Sequence, residues 1–241
     1  MLGRAKDFVA CALAASVVSP GCVLVIGNTA DVPEWGFDGL GGLESGSALV
    51  GDGVAASETR AVEPFEAVAA VGSFDVVVRV GPERAVTVAG DANLVSHVET
   101  YVENGTLRVG WDRGRHRPER RMLVTVSAPQ LAGLSLSGSG DVSATGVDAP
   151  KLDVSLSGSG RVEVAGRADA LTATLSGSGD LQLQDLVAAS AVVRISGSGD
   201  AHVHATQRLD AHVSGSGDVR YRGAAQVDAR VSGSGAVTSE R

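Results

Sequence analysis

Cysteine is nearly absent. The 241-residue chain has two, Cys11 and Cys22, and none beyond residue 22, which excludes a disulfide framework or a cysteine-ligated zinc site from the remainder. Aromatic side chains make up only 3% of the sequence, and the apolar 44% is chiefly Val, Ala and Leu. With so few bulky residues and 32 glycines, the chain suits narrow stacked strands and tight turns rather than a thick globular core. Basic charge is also short: 28 acidic residues against 20 basic give a formal net charge of −8. Nucleic acid is therefore not an expected partner, because such binding needs a basic surface that displaces counterions from phosphates. Neither a G-x-S-x-G nucleophile elbow nor a G-x-G-x-x-G dinucleotide loop occurs.

The N-terminus reads as an export signal. Arg4 and Lys6 precede the apolar run "FVACALAASVV" from Phe8 to Val18, and "SPGC" follows, ending at Cys22. This resembles a bacterial lipoprotein signal over residues 1–22, with Cys22 as the lipidation candidate. Ser19 stands where an aliphatic residue is usual, so a plain secretory signal is the alternative. A third reading takes Phe8 to Ile26 as a membrane span, interrupted by Pro20-Gly21. All three export the rest of the chain. Residues 23–60 are rich in Gly, Ala, Ser and Asp without sustained periodicity, and are expected to be a flexible linker.

From residue 61 onward the chain turns to strand patterns. "FDVVVRVG", "AVTVAG", "HVETYVENGTLRVG" and "MLVTVSAP" are β-rich runs, and Asn104-Gly105 between two of them signals a type I′ hairpin. From Leu131 a tetrad SGSG repeats, beginning at Ser137, Ser157, Ser176, Ser196, Ser214 and Ser232. A period near twenty is the mark of a β-solenoid. Apolar residues alternate with polar ones on both sides of each tetrad, as in Leu134/Leu136 before the first and Val142/Ala144 after it; one face turns in and the other out.

The tetrads read as structural corners. Ser137, Gly138, Ser139 and Gly140, then Gly158 and Gly160, Gly177 and Gly179, Gly197 and Gly199, Gly215 and Gly217, and Gly233 and Gly235 would each stack on the copy one coil below. At strand spacing a larger side chain would collide with that copy, and Gly also permits positive φ. The serine hydroxyls are expected to bond turn amides or each other.

These segments, with "FEAVAAVGSFDVVVRVG", "VTVAGDANLVSHVETYVENGTLRVG", "SAPQLAGLSLSGSGDV" and "YRGAAQVDARVSGSGAV", resemble the head GIN-domain family of putative auto-transporter adhesins over about Val62 to Val237. The resemblance implies an all-β, right-handed parallel β-helix on exported bacterial proteins. It brings no catalytic or ligand residues with it. The domain is then 61–241, with residues 62–128 forming irregular first coils or a cap.

Several constellations remain as candidates. The residue after each tetrad forms the column Asp141, Arg161, Asp180, Asp200, Asp218, Ala236. The four aspartates are either a calcium ladder or an acidic edge that caps the turn; no other cofactor is expected. His202 and His204 share one side of a strand with His212 nearby, a pattern that is more often plain surface than metal site. "RGRHRPERR" packs Arg113, Arg115, Arg117, Arg120 and Arg121 into nine residues, a candidate contact for an anionic glycan or lipid headgroup. Asp153, Asp210 and Asp228 are the carboxylates a carbohydrate-active β-helix enzyme would use, without long loops to wall a cleft. The expectation is a non-enzymatic adhesion module of the cell envelope or surface, anchored through lipid, with an envelope polymer, glycan or surface protein as partner. A self-associating scaffold, a homo-oligomer through the C-terminal edge, is the alternative.

Overall fold

The structure, a computed structural model, describes residues 48–240. The expected signal segment, Cys22 and the first part of the expected linker lie outside the described residues. The described chain forms a β-solenoid of about 5 turns.

Ten short elements come first: β1 (Leu49–Val50), β2 (Ala55–Arg60), β3 (Ala67–Gly72), β4 (Asp75–Val80), β5 (Ala85–Asp91), α1 (Ala92–Val95), β6 (Val98–Glu103), β7 (Thr106–Trp111), β8 (His116–Arg117) and β9 (Leu123–Ala128). The solenoid body follows as β10 (Gly133–Gly138), β11 (Asp141–Gly158), β12 (Arg161–Gly177), β13 (Asp180–Gly197), β14 (Ala201–Gly215), β15 (Val219–Arg222), β16 (Gln226–Gly233) and β17 (Val237–Ser239). β11 to β14 each run from one tetrad to the next, so each is nearly a whole coil.

The alternation read from sequence is the wall of the solenoid. Leu136, Leu156, Leu175, Ile195 and Val213 stack in parallel register and are buried. On the other side of the corner Val142, Val162, Leu181, Ala201 and Val219 stack likewise, also buried. Each coil is too thin to bury its apolar face alone, so stacking creates the core. Medium and small aliphatics fill it, which explains how a chain so poor in aromatics folds.

The tetrads occupy one corner in exact superposition, with Ser157 paired to Ser176 and Gly158 to Gly177. Two different constraints act there. At the first Gly, exemplified by Gly177, φ is +123° and an added Cβ would lie 2.4 Å from the Gly158 carbonyl oxygen. At the second, exemplified by Gly179, only the close approach matters: its Cβ would lie 2.3 Å from the Gly160 oxygen. The corner is laddered by backbone, since Ser178 N–H donates to Gly158 O at 2.9 Å and Ser198 N–H to Gly177 O at 2.9 Å. This corrects the expected hydroxyl ladder. The tetrad serines are exposed, and the serine-to-serine bond, Ser155 Oγ to Ser135 Oγ at 2.9 Å, lies outside the tetrads.

The uneven repeat length is absorbed away from this corner. Register shifts fall between Ala144 and Val147, Glu163 and Gly166, Leu183 and Val187, and Ala188 and Ser190. Extra residues bulge out there, and the tetrads stay aligned.

Before residue 130 the coil order departs from chain order. β10 lies parallel on β3 and pairs Gly138 with Gly72; β11 lies on β4. Residues 67–80 are thus the coil beneath the first tetrad, and Gly72-Ser73 is its degenerate corner. The intervening chain passes beneath that coil, where β7 pairs parallel with β3 and β9 with β4. Antiparallel strands finish the end: β6 on β7, β5 on β9, and β2 on β5. The expected irregular cap is present, and it includes β1 and β2. Those strands fall within the stretch 23–60 expected as linker, so the folded body starts earlier than residue 61. The length of β2 (AASETR) hid it, because four of its six residues are exposed and no apolar alternation marks it.

Candidate functional site

The arginine loop sits on a hairpin that its sequence dictates. Asn104 has φ +51° and Gly105 has φ +72°, the pair of left-handed residues a two-residue type I′ turn requires. The turn fixes the register of β6 and β7, from Glu103 opposite Thr106 to Val98 opposite Trp111. One step further, His97 faces Asp112, and the Asp112 N–H donates to the His97 carbonyl at 3.0 Å.

Beyond Asp112 the loop runs through β8, which pairs parallel with β1, and reaches β9. Its base is tied by Asp91, a fully buried carboxylate. One oxygen accepts from Glu119 N–H at 2.8 Å and Arg120 N–H at 3.1 Å, the other from Gly53 N–H at 3.1 Å. A buried charge is tolerable only when donors of this kind surround it. Inside the loop, the His116 ring stacks on Trp111 at 4.5 Å and 11°, and Trp111 contacts Phe74 at 4.8 Å. His97 Nδ1 lies 2.8 Å from Asp112 Oδ2, and His116 Nε2 lies 3.0 Å from Asp112 Oδ1.

The five arginines divide into two sets. Arg120 Nε donates to the Gly53 carbonyl at 2.6 Å, and Arg121 pairs with Asp75 at 2.8 Å; both brace the cap. Arg113, Arg115 and Arg117 are exposed, and none forms an ion pair among the described residues. The loop therefore presents three guanidinium groups on an otherwise acidic chain.

Several of the other candidates are held by protein partners. Asp180 lies 3.6 Å from Arg161, and Arg220 sits 3.9 Å from Asp200 and 3.5 Å from Asp218. Asp200 Oδ1 accepts from Asp218 N–H and Asp218 Oδ1 from Ala236 N–H, both at 2.9 Å, so these two cap the turn of the coil above. Asp141 is exposed at the first position of the column. His202 lies 3.3 Å from both Arg220 and Glu240, while His212 stacks in register between Arg194 and Arg230 on another face. A shallow groove of ≈ 580 Å³ runs along that face past Thr174, Arg194, His212 and Arg230. Asp153, Asp210 and Asp228 pair with Lys151 at 2.9 Å, Arg208 at 2.9 Å and Arg230 at 3.5 Å. The Arg208 hydrogen bond holds the Asp210 carboxyl below the usual range.

The sequence reading missed the grouping of His97, Asp112 and His116. The signal was available: a two-residue Asn-Gly turn pairs residue 97 with residue 112, and His116 follows Asp112 by four.

Comparison with known proteins agrees with this architecture. Residues 64–225 match the family described as "Putative auto-transporter adhesin, head GIN domain". Among solved structures, a putative adhesin from Bacteroides fragilis superposes with a TM-score of 0.67 at 21% identity, over 80% of this chain and 100% of that one. A putative lipid binding protein from Parabacteroides distasonis gives 0.56 at 22%, over 81% and 100%. A putative adhesin from Parabacteroides merdae gives 0.52 at 18%, over 80% and 99%. At these identities the likeness is one of fold. No curated protein matches the chain.

Proposed function

This chain belongs to the head GIN-domain family of putative auto-transporter adhesins, and we propose on that footing that it is an exported, non-enzymatic binding module of the cell envelope. The family description fits a binding or adhesion role. Arg113, Arg115 and Arg117 carry the assignment of the contact: three exposed cations without a carboxylate partner among the described residues, on a loop braced by Asp91, Arg120 and Arg121. Planar guanidinium groups suit the carboxylates, sulfates or phosphates of an anionic glycan or cell-wall polymer.

The pairing of Asp153, Asp210 and Asp228 with cations supports the non-enzymatic reading. A glycosidase needs one carboxyl with raised proton affinity, and Asp210 is shifted the other way. In the aspartate column Asp200 and Asp218 cap turns and Asp180 faces Arg161, which supports a structural reading over a calcium ladder. Cys22 is the proposed lipid anchor. Its replacement by Ser should release the protein from the membrane fraction into the soluble one; continued membrane association would remove the anchor from the account.

The test of function is binding of the full chain to a panel of glycans and cell-wall polymers. Saturable binding to the anionic members is expected, and a blank panel would overturn the reading. A second reading, self-association through the C-terminal edge, is favoured by Val231, which is 44% exposed on the last described rung, where the same column one coil below is buried. A blank panel with concentration-dependent light scattering would support it.

A further inference from the structure

We propose that His97, Asp112 and His116 form a binding site for a divalent transition metal of zinc-like preference at the base of the arginine loop. The ligand atoms of all three residues lie within 4.8 Å of one another. Asp112 stands between the imidazoles, its two oxygens 2.8 Å from His97 Nδ1 and 3.0 Å from His116 Nε2. Donors bound to tetrahedral zinc at about 2.0–2.1 Å sit roughly 3.3 Å apart. The two contacts named are about 0.5 and 0.3 Å shorter than that separation, and the two imidazole donors lie within 4.8 Å of each other.

The group does not satisfy its own polar atoms. Asp112 Oδ1 is buried and accepts no hydrogen bond, although His116 Nε2 is 3.0 Å away, and His116 Nδ1 is buried without a partner. A neutral imidazole carries one N–H. If the proton sits on His116 Nδ1, the Nε2 lone pair faces a carboxylate lone pair; if it sits on Nε2, Nδ1 is left as a buried acceptor without a donor. A cation between Nε2 and Oδ1 removes the first conflict. His97, whose ligand nitrogen lies within 4.8 Å of the other ligand atoms, is the third donor to the same ion.

The surroundings suit an ion that enters from solvent. The His116 side chain is 3% exposed, while His97 and Asp112 are 37% and 32% exposed. One side of the cluster is therefore packed under Trp111, and the other is open to a fourth ligand such as water. Two imidazoles and one carboxylate suit zinc and its neighbours; calcium would require six to eight oxygens. His116 lies between Arg115 and Arg117 in the chain, so an ion bound here would fix the segment that carries them. The site stands on its own geometry, whether or not the loop contacts a polymer.

The test uses the full chain, stripped of metal by a chelator. Zinc is titrated by calorimetry. Cobalt(II) is titrated by its visible absorption and by fluorescence of Trp111 with Trp35→Phe as background. One zinc per chain, a tetrahedral cobalt spectrum and quenching of Trp111 are expected. His97→Ala and Asp112→Asn should each weaken zinc by at least about tenfold. His116→Ala can disturb packing, so the exposed His97→Ala variant, with an unchanged melting curve in chelator, carries the decision. His202→Ala/His204→Ala should bind as the unaltered chain does. Absence of saturable zinc binding, or binding that survives both His97→Ala and Asp112→Asn, would overturn the site. Loss of binding in the His202/His204 variant would also overturn it.

Discussion

At the scale of single residues, the tetrad separates two roles that its composition conflates. Gly177 is required by both its φ of +123° and the 2.4 Å approach of its would-be Cβ to the Gly158 oxygen. Gly177→Ala should therefore cost about 3 kcal/mol or more, from backbone strain plus overpacking. Ser178→Ala, at an exposed position whose contribution is its backbone N–H, should stay within about 0.5 kcal/mol. Denaturant melts of the two variants decide it, and equal losses would refute the backbone ladder. The Asp210–Arg208 pair makes a pH-dependent prediction. Arg208 lowers the Asp210 pKa in the folded chain, so the pair's stabilisation is present above the unfolded Asp value, about 3.9. It fades as pH falls through the lower folded value. Arg208→Ala should move the Asp210 titration, followed by carboxyl NMR, upward; an unmoved midpoint would deny the pairing.

At the scale of elements, what was legible follows from whether a residue's neighbour is local or distant. The coils from β10 onward were readable because each apolar column repeats in sequence, and the β6–β7 hairpin because Asn104-Gly105 fixes its own register. The coil of β3 and β4 was not, since its corner keeps only Gly72 and Ser73 and Phe74 takes the place of the second Gly. β2 escaped because an edge strand with Glu58 and Arg60 exposes most of its length and buries little to leave a pattern. The His97–Asp112–His116 grouping was half legible, through the hairpin register; the fold of the loop that returns His116 was not. The bulges yield a prediction of their own. β13 already carries extra residues between Leu183 and Val187 relative to β14, and Asp185 there is exposed. Deleting Asp185 should cost at least about 2 kcal/mol less than deleting Ser178, which would slip a whole coil and turn its apolar residues outward. Similar melting losses for the two deletions would show that the bulge does not absorb length.

At the scale of the whole molecule, the two ends of the solenoid differ in kind. The N-terminal end is closed by antiparallel strands, with β2 as a charged edge, and carries the arginine loop; the last rung leaves Val231 exposed. In the middle several polar columns pair among themselves, as Arg161 does with Asp180 and Arg208 with Asp210. Arg113, Arg115 and Arg117, exposed and without an ion pair among the described residues, cluster on one loop at the capped end, on a chain of net charge −8. Recognition is proposed for that end. The measurement that tests it most directly compares affinity for an anionic cell-wall polymer between the unaltered chain, the Arg113→Ser/Arg115→Ser/Arg117→Ser variant and the Arg120→Ser/Arg121→Ser variant. At least about a tenfold loss, near 1.4 kcal/mol, is expected in the first variant. The second should keep most of its affinity and lose stability instead. Unchanged affinity in the triple variant would contradict the assignment of recognition to the arginine loop.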